Sequence, residues 1–179
     1  MKDRSDKALK EKAARIKWLF ADVDGTLTDG KVYYGHDGEV LKSFSMRDGT
    51  GFFLLREVGI GAGLITGENS AIVKSRAEKL KLAHCLLGVS NKVSRLEEFL
   101  ESNSLSWDEI AYIGDDLNDV KALSSAGLGF AVGDACQLAK EAADIVCSKP
   151  GGGGAFREAV EYLLSLRGVD INTIVESKL

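Results

Sequence analysis

Two carboxylates separated by a single residue, Asp22 and Asp24, are the first feature of the sequence that could perform chemistry. They end an apolar segment, and because side chains alternate along an extended chain, both point to the same side. Gly25 allows the backbone to turn immediately after them. Crowded carboxylates repel one another unless a cation or a shared proton relieves them. The pair therefore predicts an ion- or proton-binding site at a strand end, with solvated turn acids as the alternative.

A second acidic group, Asp115, Asp116 and Asp119, follows the apolar segment 110–113. In a parallel sheet, two such strand ends can face one crevice, so all five acids could converge. Oxygen ligands without histidine suit Mg²⁺, which often binds one or two carboxylates together with a substrate phosphate. Read alone, the second group could instead cap a helix. Its pairing with the first group favours the metal site.

Two weaker signals point to a phosphate. Thr66 and Gly67 follow the apolar segment 61–65, so a hydroxyl and backbone N–H groups meet at a helix start. Lys92 begins a helix-like segment and could neutralise a phosphoryl oxygen while keeping a nearby carboxylate ionised. Either signal alone is common on protein surfaces. Their order along the chain, between the two acidic groups and each at a strand end, favours a phosphate-binding site.

The elements that would position these residues alternate between short apolar runs and amphipathic stretches. This pattern predicts an α/β fold with a doubly wound parallel sheet. The predicted strands are residues 18–22, 61–65, 85–87, 110–113, 129–132 and 145–147. The predicted helices are residues 49–57, 70–80, 92–101, 119–126, 136–142, 156–166 and 171–177.

Residues 31–44 interrupt the alternation and predict a projecting β-hairpin around a Gly-His-Asp-Gly turn. A lone hairpin is only marginally stable, and Tyr33, Tyr34 and Phe44 need cover. The hairpin either folds onto its own domain as a flap or contacts another subunit. We favour the subunit contact.

The composition limits the remaining possibilities. The chain has 179 residues, a net charge of −4, three cysteines and two histidines. We expect one domain over residues 17–179, with a C-terminal tail over 151–179 and a charged N-terminal extension over 1–16. The extension could be helical or disordered. The acidic charge argues against nucleic acid. No apolar run is long enough for a membrane span, and no signal peptide is evident, so we expect reduced cysteines and a cytoplasmic location.

Together the motifs resemble the haloacid dehalogenase (HAD) superfamily of phosphatases, whose four motifs correspond to Asp22-Val-Asp24-Gly-Thr, Thr66, Lys92 and Gly114-Asp115-Asp116 with Asp119. Residues 28–30, the hairpin, and residues 46–49, 90–92 and 151–158 are similar to the 3-deoxy-D-manno-octulosonate 8-phosphate phosphatase family. That family includes phosphatases of related nine-carbon sugar acids (KDN type). The resemblance implies a Rossmann-like HAD core without a cap domain, dependence on Mg²⁺, and a homotetramer.

The resemblance also implies the catalytic roles. Asp22 would attack phosphorus and form an aspartyl-phosphate. Asp24 would protonate the leaving sugar oxygen and then take a proton from the hydrolytic water. Thr66 and Lys92 would bind the phosphoryl oxygens.

The metal ligands are implied in the same way. Asp22, the backbone carbonyl of Asp24, and Asp115 would hold Mg²⁺. Asp116 and Asp119 would support this site from the outer shell or through water.

The sugar acid presents a second anion, which needs local cations because the protein is net acidic. The candidates are Arg47, Arg76, Lys79 and Arg157. Arg47 resembles the eight-carbon enzymes. Glu68, directly after Gly67, resembles the nine-carbon enzymes when it is paired with Lys79, and we expect those two side chains to meet in the sugar site. The markers conflict, so both substrates stay open, with the nine-carbon acid slightly favoured.

Two other classes are considered. A receiver domain also uses acids, a threonine and a lysine, but its phosphoacceptor follows a central strand of the chain rather than the first. A catalytically silent oligomerisation module would not need the intact acids and lysine.

Only 41 residues separate Asp24 from Thr66 and 25 separate Thr66 from Lys92, too few for a cap domain. We therefore expect a neighbouring subunit to complete the open active site.

Overall fold

The structure is a computed structural model that describes residues 6–178. Its centre is a sheet of six parallel strands. These strands are β1 Trp18–Ala21, β4 Gly61–Ile65, β5 His84–Leu86, β6 Ile110–Gly114, β7 Leu128–Ala131 and β8 Ile145–Val146. Each lies within one residue of its predicted ends, so the parallel α/β fold is confirmed.

Across the sheet the strands lie in the order β5-β4-β1-β6-β7-β8, so the direction in which successive strands are added reverses at β1. From β1 the chain builds outward through β4 and β5, then returns to the other side of β1 for β6, β7 and β8. Such a switch leaves a crevice beyond the carboxyl ends of the central strands, where α/β proteins bind ligands. The two acidic groups follow β1 and β6, the strands on either side of this crevice.

The helices flank the sheet. They are α1 Asp6–Arg15, α2 Met46–Glu57, α3 Ala71–Lys79, α4 Lys92–Ser102, α5 Val120–Ser125, α6 Gln137–Ala142, α7 Ala155–Leu166 and α8 Ile171–Lys178. Helix α2 begins three residues before its predicted start because Ser45 caps it, its hydroxyl accepting from the Arg47 amide at 3.2 Å. Gly49 and Gly51 weaken the helical pattern there. None of the helices in residues 6–178 is long and apolar enough to cross a membrane.

The N-terminal helix α1 packs onto the domain. Leu9 and Ala13, one turn apart, are buried against the core. Lys12 forms an ion pair of 2.5 Å with the buried Asp144, which precedes β8. The sequence left the conformation of this charged segment open, and its described part is a docked helix.

The hairpin is a separate two-stranded antiparallel sheet, β2 Thr28–Gly35 and β3 Gly38–Phe44. This confirms the predicted hairpin, although β2 begins at Thr28, only four residues after Asp24. The hairpin carries large exposed apolar side chains, which are Tyr33, Tyr34, Val40 and Leu41. The hairpin therefore starts at the acidic loop and carries apolar side chains that the chain itself does not cover.

Candidate active site

The loop after β1 holds Asp22 and Asp24 in different surroundings. Asp22 is 4% exposed, and its Oδ1 lies 2.5 Å from the Lys92 ammonium at the start of α4. Asp24 is half-buried, and its Oδ2 accepts from the Thr66 hydroxyl, which follows β4, at 3.1 Å. Its Oδ1 accepts from Lys42 of the hairpin. Three strand ends and the hairpin thus converge on one pair of acids.

The acids after β6 complete the cluster. Oxygen atoms of Asp22, Asp115 and Asp119 lie within 4.8 Å of one another. Asp115 is half-buried and accepts from the Thr26 hydroxyl at 3.0 Å. Carboxylates from two strand ends at this spacing form a donor set that suits a hard divalent cation.

Asp119 is fully buried, and its two oxygens are occupied. Its Oδ1 accepts from Lys92 at 2.6 Å and from the Tyr112 hydroxyl at 2.6 Å. Its Oδ2 accepts from the backbone amides of Asp115 and Asp116 at 3.0 and 3.2 Å. Asp119 therefore shapes the loop and holds Lys92 in place. Asp116 is exposed and caps the following turn through the Leu117 amide at 2.8 Å.

The electrostatics of the cluster also favour a cation. Burial raises the pKa of Asp22 well above its usual value, Asp119 raises it further, and Lys92 opposes the shift. Burial and Asp119 raise the pKa of Asp115 to about 6. Burial disfavours the charge on Lys92, yet Asp22 and Asp119 outweigh it and raise the lysine pKa. A divalent cation beside Asp22 and Asp115 would stabilise their charged forms, so the residues present fit Mg²⁺.

The glycine run at 151–154 packs behind this loop. Gly25 has a φ of +93°, and a Cβ there would lie 2.1 Å from Asp115 Oδ2. A Cβ on Gly151 would lie 1.7 Å from the Gly25 carbonyl oxygen, and the Gly152 amide donates to the Thr26 carbonyl at 3.1 Å. The glycines allow backbone to approach backbone where side chains would not fit.

The expected contact between Glu68 and Lys79 does not form within the chain. Among the described residues no ion pair joins them, and both side chains are exposed. Glu68 precedes α3, whereas Lys79 is its last residue. Because a helix rises about 1.5 Å per residue, the length of α3 separates the two ends by roughly 12 Å. Gly67, like Glu68, lies on the exposed loop beside Thr66.

The three arginines proposed for the sugar acid lie around the start of α2 and α7. Arg76 donates to the Ser45 carbonyl at 3.2 Å and lies over the Phe44 ring. Arg157 pairs with Glu161 at 2.6 Å. Arg47 is exposed next to the glycine run. None of the hydrogen bonds or ion pairs within residues 6–178 joins these arginines to Asp22 or Asp24.

The sequence did not point to Lys42, Glu39, Ser70 or Tyr112. Lys42 contacts Asp24 and lies 2.9 Å from Glu39, which accepts from the Ser70 hydroxyl. A lysine in a hairpin and a tyrosine in a strand are common, so their types carry no signal. Only the three-dimensional placement of the hairpin brings Lys42 to the acidic loop.

Comparisons with known proteins agree with this geometry. A family model described as haloacid dehalogenase-like hydrolase matches residues 68–156. The 3-deoxy-D-manno-octulosonate 8-phosphate phosphatase of Salmonella typhi is 40% identical over 157 residues, 88% of this chain and 84% of the relative. The Haemophilus influenzae phosphatase of the same name is 37% identical over 160 residues, 89% of each chain.

Solved structures agree as well. The Moraxella catarrhalis 3-deoxy-D-manno-octulosonate 8-phosphate phosphatase, in complex with a magnesium ion, a phosphate ion and KDO, is 35% identical with a TM-score of 0.89, covering 96% of this chain and 98% of that one. The cobalt-bound Haemophilus influenzae enzyme is 38% identical with a TM-score of 0.84, covering 88% and 92%.

The parallel sheet with acids at its switch point is the architecture of a haloacid dehalogenase-like hydrolase. Within that class, the chain belongs to the 3-deoxy-D-manno-octulosonate 8-phosphate phosphatase family. The resemblance noted from the motifs is thereby confirmed. Because the relatives are phosphatases, the comparisons favour neither a receiver domain nor a catalytically silent module.

Proposed function

We propose that this protein is a Mg²⁺-dependent phosphatase that hydrolyses the phosphate monoester of a 3-deoxy-2-keto sugar acid. The observation that carries the proposal is the buried Asp22 held against Lys92 beside Asp115, at the carboxyl ends of β1 and β6. The named relatives, which act on 3-deoxy-D-manno-octulosonate 8-phosphate, support this substrate class.

The reaction proceeds in two steps. Asp22 attacks phosphorus, the bond from phosphorus to the sugar oxygen breaks, and Asp24 donates a proton to that oxygen. Water then attacks the aspartyl-phosphate, Asp24 takes its proton, and inorganic phosphate leaves as Asp22 is regenerated. Thr66 and Lys92 bind the phosphoryl oxygens, where charge is spread in the transition state.

The metal ligands we propose are Asp22, Asp115 and the backbone carbonyl of Asp24. When bound, Mg²⁺ neutralises charge on the phosphoryl group and on the clustered acids. Asp119 supports the ligands through the Asp115 amide and Lys92. Asp116, the residue after Asp115, is exposed and caps the following turn.

We propose the eight-carbon 8-phosphate as the substrate, rather than the nine-carbon 9-phosphate that the sequence slightly favoured. The relatives at 37–40% identity are eight-carbon enzymes. Glu68 and Lys79, which resemble the nine-carbon enzymes, do not meet within one chain. Rates on both phosphates with Mg²⁺, measured side by side, test the choice, and a higher kcat/KM for the nine-carbon phosphate would reverse it. Equal, poor rates on both would reject the substrate class.

We further propose a cytoplasmic homotetramer whose active sites lie at subunit interfaces, with neither nucleic acid nor membrane as a partner. The exposed apolar hairpin supports the assembly. The net charge of −4 supports the absence of nucleic acid. Three free cysteines support the cytoplasmic location.

Replacing Asp22 tests the mechanism directly. Asp22→Asn keeps the size of the side chain but removes the nucleophile, so phosphate release should fall by at least about 10³-fold. Thermal unfolding should show an intact fold. Asp108→Asn, at an exposed acid paired with Arg15, is the matched control and should retain full activity. Undiminished turnover by Asp22→Asn would overturn the aspartyl-phosphate mechanism.

A further inference from the structure

A lysine from the hairpin is buried beside the acid that the proposed mechanism uses for proton transfer. Lys42 of β3 has a side chain with 0% exposure, and its ammonium contacts Asp24 Oδ1 and, at 2.9 Å, Glu39 Oε1. A buried lysine needs such partners, because an unpaired ammonium would be strongly disfavoured away from water. The two carboxylates outweigh burial and raise the pKa of Lys42, so the side chain is cationic.

The contact belongs to a continuous chain of hydrogen bonds. The Ser70 hydroxyl donates to Glu39 Oε2 and also caps α3 by accepting from the Val73 amide at 3.3 Å. Glu39 in turn holds the Lys42 ammonium. These hydrogen bonds therefore connect the start of α3 to the hairpin and to Asp24.

Both carboxylate oxygens of Asp24 accept a hydrogen bond. Thr66 donates to Oδ2 at 3.1 Å, and Lys42 donates to Oδ1. With both oxygens engaged, the carboxylate has one defined orientation. Loss of either donor would free rotation about the side-chain bonds of Asp24, and proton transfer is sensitive to such misplacement.

We propose that Lys42, held by Glu39, is a positioning residue for Asp24, so that the hairpin sets the geometry of proton transfer to the leaving sugar oxygen. The inference rests on the proposed role of Asp24 as acid and base. It assigns the hairpin a part in the chemistry of its own chain, separate from any contact with another subunit.

The leaving group provides a specific test. A sugar alkoxide is strongly basic and needs a proton as it departs, whereas p-nitrophenolate departs without one. Losing the positioning of Asp24 should therefore slow phosphoryl transfer from the sugar phosphate far more than from p-nitrophenyl phosphate. General structural damage would slow both to the same extent.

The experiment compares single-turnover phosphoryl transfer to Asp22, by rapid quench, for 3-deoxy-D-manno-octulosonate 8-phosphate and p-nitrophenyl phosphate. In Lys42→Met we expect about 10- to 100-fold loss on the sugar phosphate and less than about threefold on the aryl phosphate. Lys42→Arg should restore part of the sugar-phosphate rate. Lys31→Met, at an exposed lysine of the same hairpin, is the control and should match the unmodified enzyme. Equal losses on both substrates in Lys42→Met would overturn the inference.

Glu39→Gln decides the matter if Lys42→Met does not fold. Glutamine fills the same space and keeps one oxygen that accepts from Lys42, while its amide nitrogen can donate to the Ser70 hydroxyl. The variant should therefore fold and show a smaller loss with the same substrate dependence. An unchanged substrate ratio in this variant would count against the positioning role.

Asp24→Asn separates the inference from the proposed function on which it rests. If Asp24→Asn slows both substrates equally or neither, the acid–base role of Asp24 fails. If Asp24→Asn is selective for the sugar phosphate and Lys42→Met is not, only the positioning role of Lys42 fails. A double variant no slower than Asp24→Asn alone would show that Lys42 acts through Asp24.

Discussion

At the scale of single residues, the site depends on glycine as much as on its acids. Gly25 combines a left-handed backbone with direct contact to Asp115, whose Oδ2 occupies the space of a Cβ. The residue between the two acidic groups therefore sets how closely they approach. Changing a residue that contacts a metal ligand commonly alters the metal affinity by about 10- to 100-fold.

Gly25→Ala should weaken Mg²⁺ binding. The new methyl group would displace the Asp115 carboxylate, so the Mg²⁺ concentration for half-maximal phosphate release should rise at least about tenfold. Alanine at positive φ also costs about 1–2 kcal/mol of stability. Gly59→Ala isolates that backbone cost, because Gly59 has a φ of +72° with nothing within 4 Å of its added Cβ. If both variants lose stability but keep the Mg²⁺ dependence of the unmodified enzyme, the close approach at Gly25 does not matter.

At the scale of elements, a buried carboxylate joins α2 to α7. Asp48, in the first turn of α2, accepts from the Arg157 amide of α7 at 2.9 Å through Oδ1. Its Oδ2 is buried without a hydrogen-bond partner among the described residues. Burial raises the pKa of Asp48 to about 6, although the Arg157 amide and nearby cations oppose the shift. The protonated form is therefore favoured by folding.

The pH dependence of stability follows from this shift. Because folding raises the pKa from 3.8 to about 6, the folded state holds more protons between those values, and Asp48 destabilises the fold as pH rises through them. Asp48→Asn removes this titration. The free energy of unfolding of the variant, relative to the unmodified protein, should therefore increase by about 3 kcal/mol from pH 3 to pH 7. Denaturant titrations across this range measure the difference.

An exposed acid provides the comparison. Asp108 pairs with Arg15 at the surface, where both side chains are more than half exposed, so Asp108→Asn should change this difference little. Stability curves for Asp48→Asn that run parallel to those of the unmodified protein would contradict the assignment.

The elements also show how far the sequence could predict the molecule. The central strands of the parallel sheet were predictable because burial on both faces makes each a continuous apolar run between turns. The acids were predictable because they end those runs. The start of α2 was not, because the Ser45 cap sets it ahead of the predicted first residue. Lys42 and Glu39 could not be assigned because the angle at which a hairpin leaves a sheet has no local signature.

At the scale of the whole molecule, the crevice and the hairpin differ in how much of their surface the chain itself covers. Asp22 is 4% exposed at the crevice, whereas Tyr34 is 72% and Leu41 59% exposed on the hairpin. A cluster of large apolar side chains on so small a unit is the kind of surface that another chain covers. The same hairpin that brings Lys42 to Asp24 therefore carries the proposed subunit contact.

Tyr34→Lys should separate the subunits. Burying a lysine in an apolar interface is unfavourable, and Tyr34 is too exposed within one chain to affect its folding. Light scattering should show the unmodified protein as four chains of 19.2 kDa and the variant as a smaller species with an unchanged unfolding temperature. Since a neighbouring subunit completes the proposed site, kcat/KM on the sugar phosphate should fall by at least about tenfold, one hot-spot contact being worth roughly 2 kcal/mol.

Leu138→Lys gives the matched comparison, because Leu138 is 54% exposed on α6, outside the hairpin. It should change neither the mass nor the activity. Asp22, Lys92 and Asp115 lie within one chain, so the dissociated variant should keep its reaction with p-nitrophenyl phosphate while it loses the sugar phosphate. A dissociated variant with full activity on the sugar phosphate would mean that each chain forms a complete site alone, and the hairpin would then serve the enzyme only through Lys42.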